Sequence, residues 1–241
     1  RSWVGYRHSI MLAAIVSFAV LASGGQDQKA ESFTGRVTHN VTTRYLAYVP
    51  EGYDQDKKKE WPLVLFLHGA GERGADIQKV KVHGIPKEIA EGRQFPFIAI
   101  SPQCPTDGWW DTDVLIGLLN HIESKYRVDK SREYLTGISM GGYGTWALAA
   151  AQPNRFAAIA PICGGGNPVT AKALAKIPIW CFHGDKDPVV PIQNSQIMVD
   201  WVTASKGNIR FTVIKDGQHD VWTDIYKGQE IYDWLLAHRR D

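Results

Sequence analysis

The sequence predicts an α/β domain: one mostly parallel sheet of about eight strands, flanked by helices on both faces. Two observations carry this expectation. Short runs that are apolar throughout, such as Leu63-Val64-Leu65-Phe66-Leu67, have the character of strands buried on both faces. Longer amphipathic stretches alternate with them, and strand–helix alternation requires right-handed crossovers and therefore parallel strands. The composition agrees. Of 241 residues, 44% are hydrophobic and 22% charged, an ordinary globular balance in a chain long enough to bury a core without staples.

Taken in order, residues 1–24 contain no acid, and Arg1, Arg7 and His8 precede an apolar run from Ile10 to Ala22. The run is shorter than a membrane span of about 20 residues. With small residues after it, it reads as a secretory signal and predicts a secreted or periplasmic protein. Residues 25–35 read as a polar leader and 36–241 as one folded domain. Strands over 36–41 and 43–49, joined by a turn at His39-Asn40, are partly polar, as at a sheet edge. Buried strands follow at 63–67, 97–100, 134–136, 157–160, 179–182 and 210–214. Helices are expected over 76–91, 112–126, 141–152, 191–206 and 221–239. In the second of these Val114, Leu115, Leu118, Leu119 and Ile122 recur at helical spacing. Asn40-Val41-Thr42 matches an N-glycosylation sequon.

Several function classes are disfavoured. Lys plus Arg exceed Asp plus Glu by 27 to 25, so the net charge of +2 makes no electrostatic case for nucleic acid. Cys104, Cys163 and Cys181 lack CxxC spacing, no HExxH occurs, and no phosphate loop of the GxxxxGK[ST] type is present. Neither a metal nor another cofactor is expected.

Gly137-Ile138-Ser139-Met140-Gly141 follows an apolar strand and opens a helix, the context that makes GxSxG a nucleophile elbow. A sharp strand-to-helix turn would lift the Ser139 hydroxyl above the sheet, and glycines two positions either side would keep it uncrowded. A serine hydroxyl needs a base beside it, with an acid and a histidine following in the order Ser, Asp, His. After the strand at 179–182 comes His183-Gly184-Asp185-Lys186-Asp187-Pro188, in which Asp187 is the expected acid and Asp185 its competitor. After the strand at 210–214 comes Gly217-Gln218-His219-Asp220, which supplies His219 as the base. The oxyanion needs two preorganised donors. One is the Met140 N–H. The other comes from His68-Gly69-Ala70-Gly71, where the Ala70 N–H is favoured over that of Gly71.

These motifs, in this order, resemble the α/β-hydrolase family. More narrowly, the chain is similar to small secreted esterases related to prolyl oligopeptidase catalytic domains and to feruloyl or polyester esterases. The resemblance covers about residues 36–240. Its carriers are the stretches Leu67–Gly74, Gly137–Gly142, His183–Pro191 and Gly217–Trp222. It implies hydrolysis of an ester through an acyl-enzyme, with Ser139 as nucleophile, His219 as general base and acid, and Asp187 orienting the imidazole.

Two other readings remain beside a serine carboxylesterase. One is a peptidase or amidase using the same residues; the other is a non-catalytic carbohydrate- or partner-binding module on a hydrolase scaffold. The connection from Pro161 to Ile177 is too short for a folded cap, so no lid domain is expected and the site should be open. Trp110 and Trp222 are the expected substrate contacts, with Trp109 beside them. The expected substrate is a small or polysaccharide-linked ester with a short acyl or aromatic acid, of feruloyl type.

Overall fold

The computed structural model describes residues 40–240, together with Ser32. The expected signal over 1–24, the leader over 25–35 apart from Ser32, and most of the expected strand over 36–41 lie outside the described residues.

The strands are β1 (Arg44–Tyr48), β2 (Trp61–Leu67), β3 (Ile98–Gln103), β4 (Val128–Ile138), β5 (Ala158–Ile162), β6 (Ile179–Gly184) and β7 (Ile209–Ile214). Among the described residues they form one sheet of seven strands in the order β1-β3-β2-β4-β5-β6-β7. β1 lies antiparallel on β3, with Arg44 opposite Gln103 and Tyr48 opposite Ala99. Every other pairing is parallel.

The helices are α1 (Gly84–Ala90), α2 (Thr112–Lys125), α3 (Met140–Ala151), α4 (Ala171–Leu174), α5 (Gln193–Ala204), α6 (Trp222–Lys227) and α7 (Glu230–Leu236). None is long and apolar enough to cross a membrane. The period of two along β2 divides the core. Leu63, Leu65 and Leu67 pack with α2, α3 and α5 through Leu115, Leu119, Trp146 and Met198. Val64 and Phe66 pack with α1, α6 and α7 through Ile85, Tyr226 and Tyr232. Burying each such side chain contributes about 1.5–3 kcal/mol. α2 begins where Asp111 accepts the Asp113 and Val114 N–H groups at 2.8 and 3.2 Å, a side-chain N-cap.

Three expected elements come out differently. The helix expected over 76–91 is a 3₁₀ segment, Ile77–Val82, then a break at His83, then α1. Gly84 adopts φ +64°, and a Cβ there would lie 2.2 Å from the Phe66 ring, so the chain turns where only glycine passes. The helix expected over 221–239 is divided at Gly228, whose backbone is extended. Arg93 holds that break open, its guanidinium donating to the carbonyls of Tyr226, Lys227 and Gly228 at 2.9–3.1 Å. β4 begins at Val128, well before 134, and its first half is charged, with Asp129, Lys130 and Arg132, so an apolar run marks only its second half.

From β2 the chain crosses outward to β3 and then returns to β4 on the other side. That reversal leaves a crevice at the carboxyl ends of β2 and β4, where open α/β sheets bind ligands.

Candidate active site

Ser139 sits at the carboxyl end of β4 with φ 52° and ψ −117°, a conformation that costs a non-glycine residue of order 1–3 kcal/mol. The surroundings force it. A Cβ on Gly141 would lie 1.9 Å from the Leu67 carbonyl oxygen, and one on Gly137 would lie 2.4 Å from that of Gly141. The elbow is therefore pressed backbone to backbone against the end of β2. Met140 opens α3, so its N–H has no carbonyl one turn back and points out of the helix start.

The structure brings the three expected polar residues together. The Ser139 hydroxyl donates to His219 Nε2 at 2.9 Å, and His219 Nδ1–H donates to Asp187 Oδ2 at 2.6 Å. The other carboxylate oxygen, Oδ1, accepts the N–H groups of Val189 and Val190 at 2.8 and 2.9 Å. The Asp187 side chain is fully buried. Burial pushes its carboxyl up, but the His219 hydrogen bond and the Val190 and Val189 N–H groups outweigh that and hold it below the usual carboxylate range. It therefore stays charged beside the imidazole. Asp185 donates its own N–H to the Ile214 carbonyl and does not meet the imidazole.

The loop after β2 lies against the nucleophile. A Cβ on Gly69 would be 3.6 Å from the Ser139 Cβ. Two side chains hold this glycine. Its N–H donates to Glu72 Oε2 at 2.9 Å, and its carbonyl accepts from His68 Nδ1–H at 2.5 Å. The Cys104 N–H donates to His68 Nε2 at 3.0 Å, which fixes the proton on Nδ1. Burial lowers the His68 pKa to about 4, so the ring is neutral. The Ala70 N–H belongs to the peptide whose carbonyl His68 grips. Since Ala70 opens a 3₁₀ turn, that N–H has no partner within the turn.

The tryptophans are distributed otherwise than expected. Trp110 is 7% exposed, and its indole N–H donates to the His68 carbonyl at 3.1 Å. It braces the loop from the core side and presents little surface to a substrate. Trp222 is 6% exposed and packs edge-on against the His219 ring at 4.9 Å, a wall behind the imidazole. Trp109 turns outward instead. It is 59% exposed and sits edge-on to Tyr143 at 5.9 Å, and Tyr143 lies one turn along α3 from Ser139. The sequence offered Trp109 as a candidate but gave no signal for Tyr143.

His183 was also missed as part of the site. It is fully buried, 3.2 Å from Asp187 Oδ2. Among the described residues, Cys163, His183 and Asp187 are the group able to hold a metal ion, their ligand atoms lying within 4.8 Å of one another. The proton-bearing groups there face the carboxylate instead. Burial pushes the Cys163 thiol far up, and His183 Nε2 bears a proton donated to the Val190 carbonyl at 2.8 Å. Cys104, Cys163 and Cys181 are all free, buried thiols.

Comparison with known proteins gives a consistent picture. The family model described as "Putative esterase" matches residues 38–207. "Probable feruloyl esterase C" of Aspergillus terreus is 27% identical over 208 residues, covering 83% of this chain and 74% of that protein. "Bifunctional acetylxylan esterase/xylanase XynS20E" of Neocallimastix patriciarum is 30% identical over 175 residues, 69% of this chain but 24% of that longer protein. The crystal structure of a thermostable esterase superposes with a TM-score of 0.72 at 33% identity, over 81% of this chain and 59% of the other.

Proposed function

This chain belongs to the Esterase family and hydrolyses esters on an α/β-hydrolase fold, and we propose that it does so as a secreted serine carboxylesterase acting on short-acyl or aromatic-acid esters of feruloyl type. The observation that carries the reading is the unbroken hydrogen-bond chain from Ser139 through His219 to Asp187.

Ser139 Oγ attacks the ester carbonyl carbon as its proton passes to His219 Nε2. The imidazolium that forms is held by the Asp187 carboxylate, which keeps its charge and takes no proton. The oxyanion lies between the N–H groups of Met140 and Ala70. The peptide bearing the Ala70 N–H is fixed in advance by His68, so no reorganisation is needed when charge develops. His219 then protonates the departing alcohol, and water repeats the sequence on the acyl-enzyme.

Two features support the substrate class. The passage from β5 to β6 holds a three-residue 3₁₀ turn and the four-residue α4, so nothing there folds over the crevice. An open site buries little of a long acyl chain and forgoes about 0.8 kcal/mol per CH₂ left in water. Trp109 and Tyr143 offer an aromatic face beside the nucleophile, suited to a phenyl or sugar ring. The curated relatives named for feruloyl and acetylxylan esters point the same way.

A panel of acetyl, butyryl, octanoyl, palmitoyl, feruloyl and peptidyl substrates tests the proposal. Acetyl, butyryl or feruloyl esters should turn over well ahead of palmitoyl, with no rate jump when substrate forms an interface. Preference for emulsified long-chain esters, or for peptides, would overturn it.

A further inference from the structure

The catalytic carboxylate has two imidazoles against one oxygen. Besides the His219 Nδ1–H at 2.6 Å, Asp187 Oδ2 meets His183 Nε2 at 3.2 Å. His183 is fully buried at the end of β6. Its surroundings decide where its proton sits. Nε2 faces two oxygens that only accept, the Val190 carbonyl at 2.8 Å and Asp187 Oδ2, so Nε2 must be the protonated nitrogen. Nδ1 lies 2.7 Å from the Ser195 hydroxyl on α5. Ser195 Oγ is also 2.7 Å from the Gly164 carbonyl that follows β5. The Ser195 hydroxyl, which donates to that carbonyl, ties the ring to the segment after β5.

The ring thus ties three segments at one point. Val190 is bound on both sides: its N–H caps Asp187 Oδ1 at 2.9 Å while its carbonyl accepts from His183. One N–H therefore restrains both Val190, the residue whose own N–H holds the first carboxylate oxygen, and the second oxygen itself. A carboxylate free to rotate about its Cβ–Cγ bond would present Oδ2 to His219 only part of the time. Misplacement of about 1 Å at such a site costs on the order of 100-fold in rate.

We propose that His183 is a positioning residue for the reaction: its Nε2–H, shared between the Val190 carbonyl and Asp187 Oδ2, locks the Asp187 carboxylate in the orientation that serves His219. The proposal rests on Asp187 and His219 acting as proposed above, and it adds a fourth member whose only route to the chemistry is through Asp187.

That single route makes a double-mutant cycle decisive. His183→Leu keeps the bulk and removes the donor. It should lower kcat on feruloyl or acetyl ester roughly 10- to 100-fold with KM nearly unchanged. His183→Gln, which places an amide N–H near the lost one, should recover most of that. In an Asp187→Asn background, His183→Leu should have no further effect on kcat. Ser195→Ala, a smaller change that loosens the outer tie, should cost a few-fold in the native background and nothing in Asp187→Asn. It carries the cycle if His183→Leu does not fold, as checked by thermal unfolding of every variant. Full multiplication of the single effects in the double variants would overturn the proposal while leaving the triad standing. So would native kcat in folded His183→Leu. Near-native kcat in Asp187→Asn alone would instead overturn the triad.

Discussion

The elbow around Ser139 and the acid loop around Asp187 are both built to hold one side chain still, and they do it by opposite means. At the elbow the agent is steric. Backbone meets backbone so closely that a single added carbon has nowhere to go, 1.9 Å from the Leu67 carbonyl oxygen at Gly141. At the acid loop the agent is a set of donors. The Val189 and Val190 N–H groups, His219 and His183 surround one carboxylate, drawn from three separate stretches of chain. The first device tolerates no change of volume. The second tolerates changes of volume but not loss of charge or of a donor. Stability and activity should therefore separate between the two regions.

The largest effect is common to both regions, because both serve Ser139. Ser139→Ala should lower kcat by roughly 10⁴–10⁶-fold with the fold intact, read by ester hydrolysis and far-UV circular dichroism. At the acid loop, Asp187→Asn should cost about 10⁴-fold in kcat while leaving the protein folded. Asp185→Asn should be mild, since its backbone, not its carboxylate, makes the loop contact. The reverse ranking would mean that the wrong carboxylate has been placed beside His219.

At the elbow, Gly141→Ala should act chiefly on stability, by more than about 4 kcal/mol in urea unfolding, because the obstruction is backbone and cannot swing aside. Gly71→Ala sharpens the contrast. It lies two residues from Gly69 in the same Gly-rich loop, yet a Cβ there meets nothing within 4 Å. Its stability should change by less than about 0.5 kcal/mol. Equal losses at both glycines would refute the steric account.

Acid should reach the polar framework around the elbow before the sterics. His68 is neutral in the fold, with burial lowering its pKa to about 4 from the ordinary 6.5. Below the ordinary value the unfolded chain takes up a proton that the folded ring refuses. Stability should fall as pH drops from about 6.5 towards 4, by up to about 3 kcal/mol from this group. His68→Asn should flatten that part of the stability–pH curve, as measured by urea midpoints across the window. An unchanged slope would show that the ring is not held neutral.

The same contrast explains what could be read from the sequence. Steric constraint leaves a residue type behind: Gly137 and Gly141 around Ser139 sit in one pentapeptide at fixed spacing. Strands buried on both faces likewise leave unbroken apolar runs, which is why β2, β3, β5 and β6 lie close to their expected positions. Donor sets assembled across the fold leave no such local trace. His183 stands four residues before Asp187, in a motif already singled out, but its value depends on Ser195 and Val190, whose placement follows from how α5 returns to the sheet. The settings of Trp109 and Trp110 leave no local trace for a related reason. Adjacent residues after β3 point to opposite sides, and only packing tells that Trp110 goes inward, to the His68 carbonyl, while Trp109 faces solvent. The helix breaks at His83 and Gly228 were hidden because each is imposed by a distant partner, Phe66 in one case and Arg93 in the other.

The central claim is that Ser139, activated by His219, is the nucleophile of an ester hydrolase. Covalent labelling with a fluorophosphonate, followed by mass mapping of the modified peptide, tests it most directly. One adduct should form, on the peptide carrying Gly137–Gly141. It should be absent in Ser139→Ala and form orders of magnitude more slowly in His219→Ala. An adduct at another serine, or undiminished labelling of the His219→Ala variant, would contradict the account.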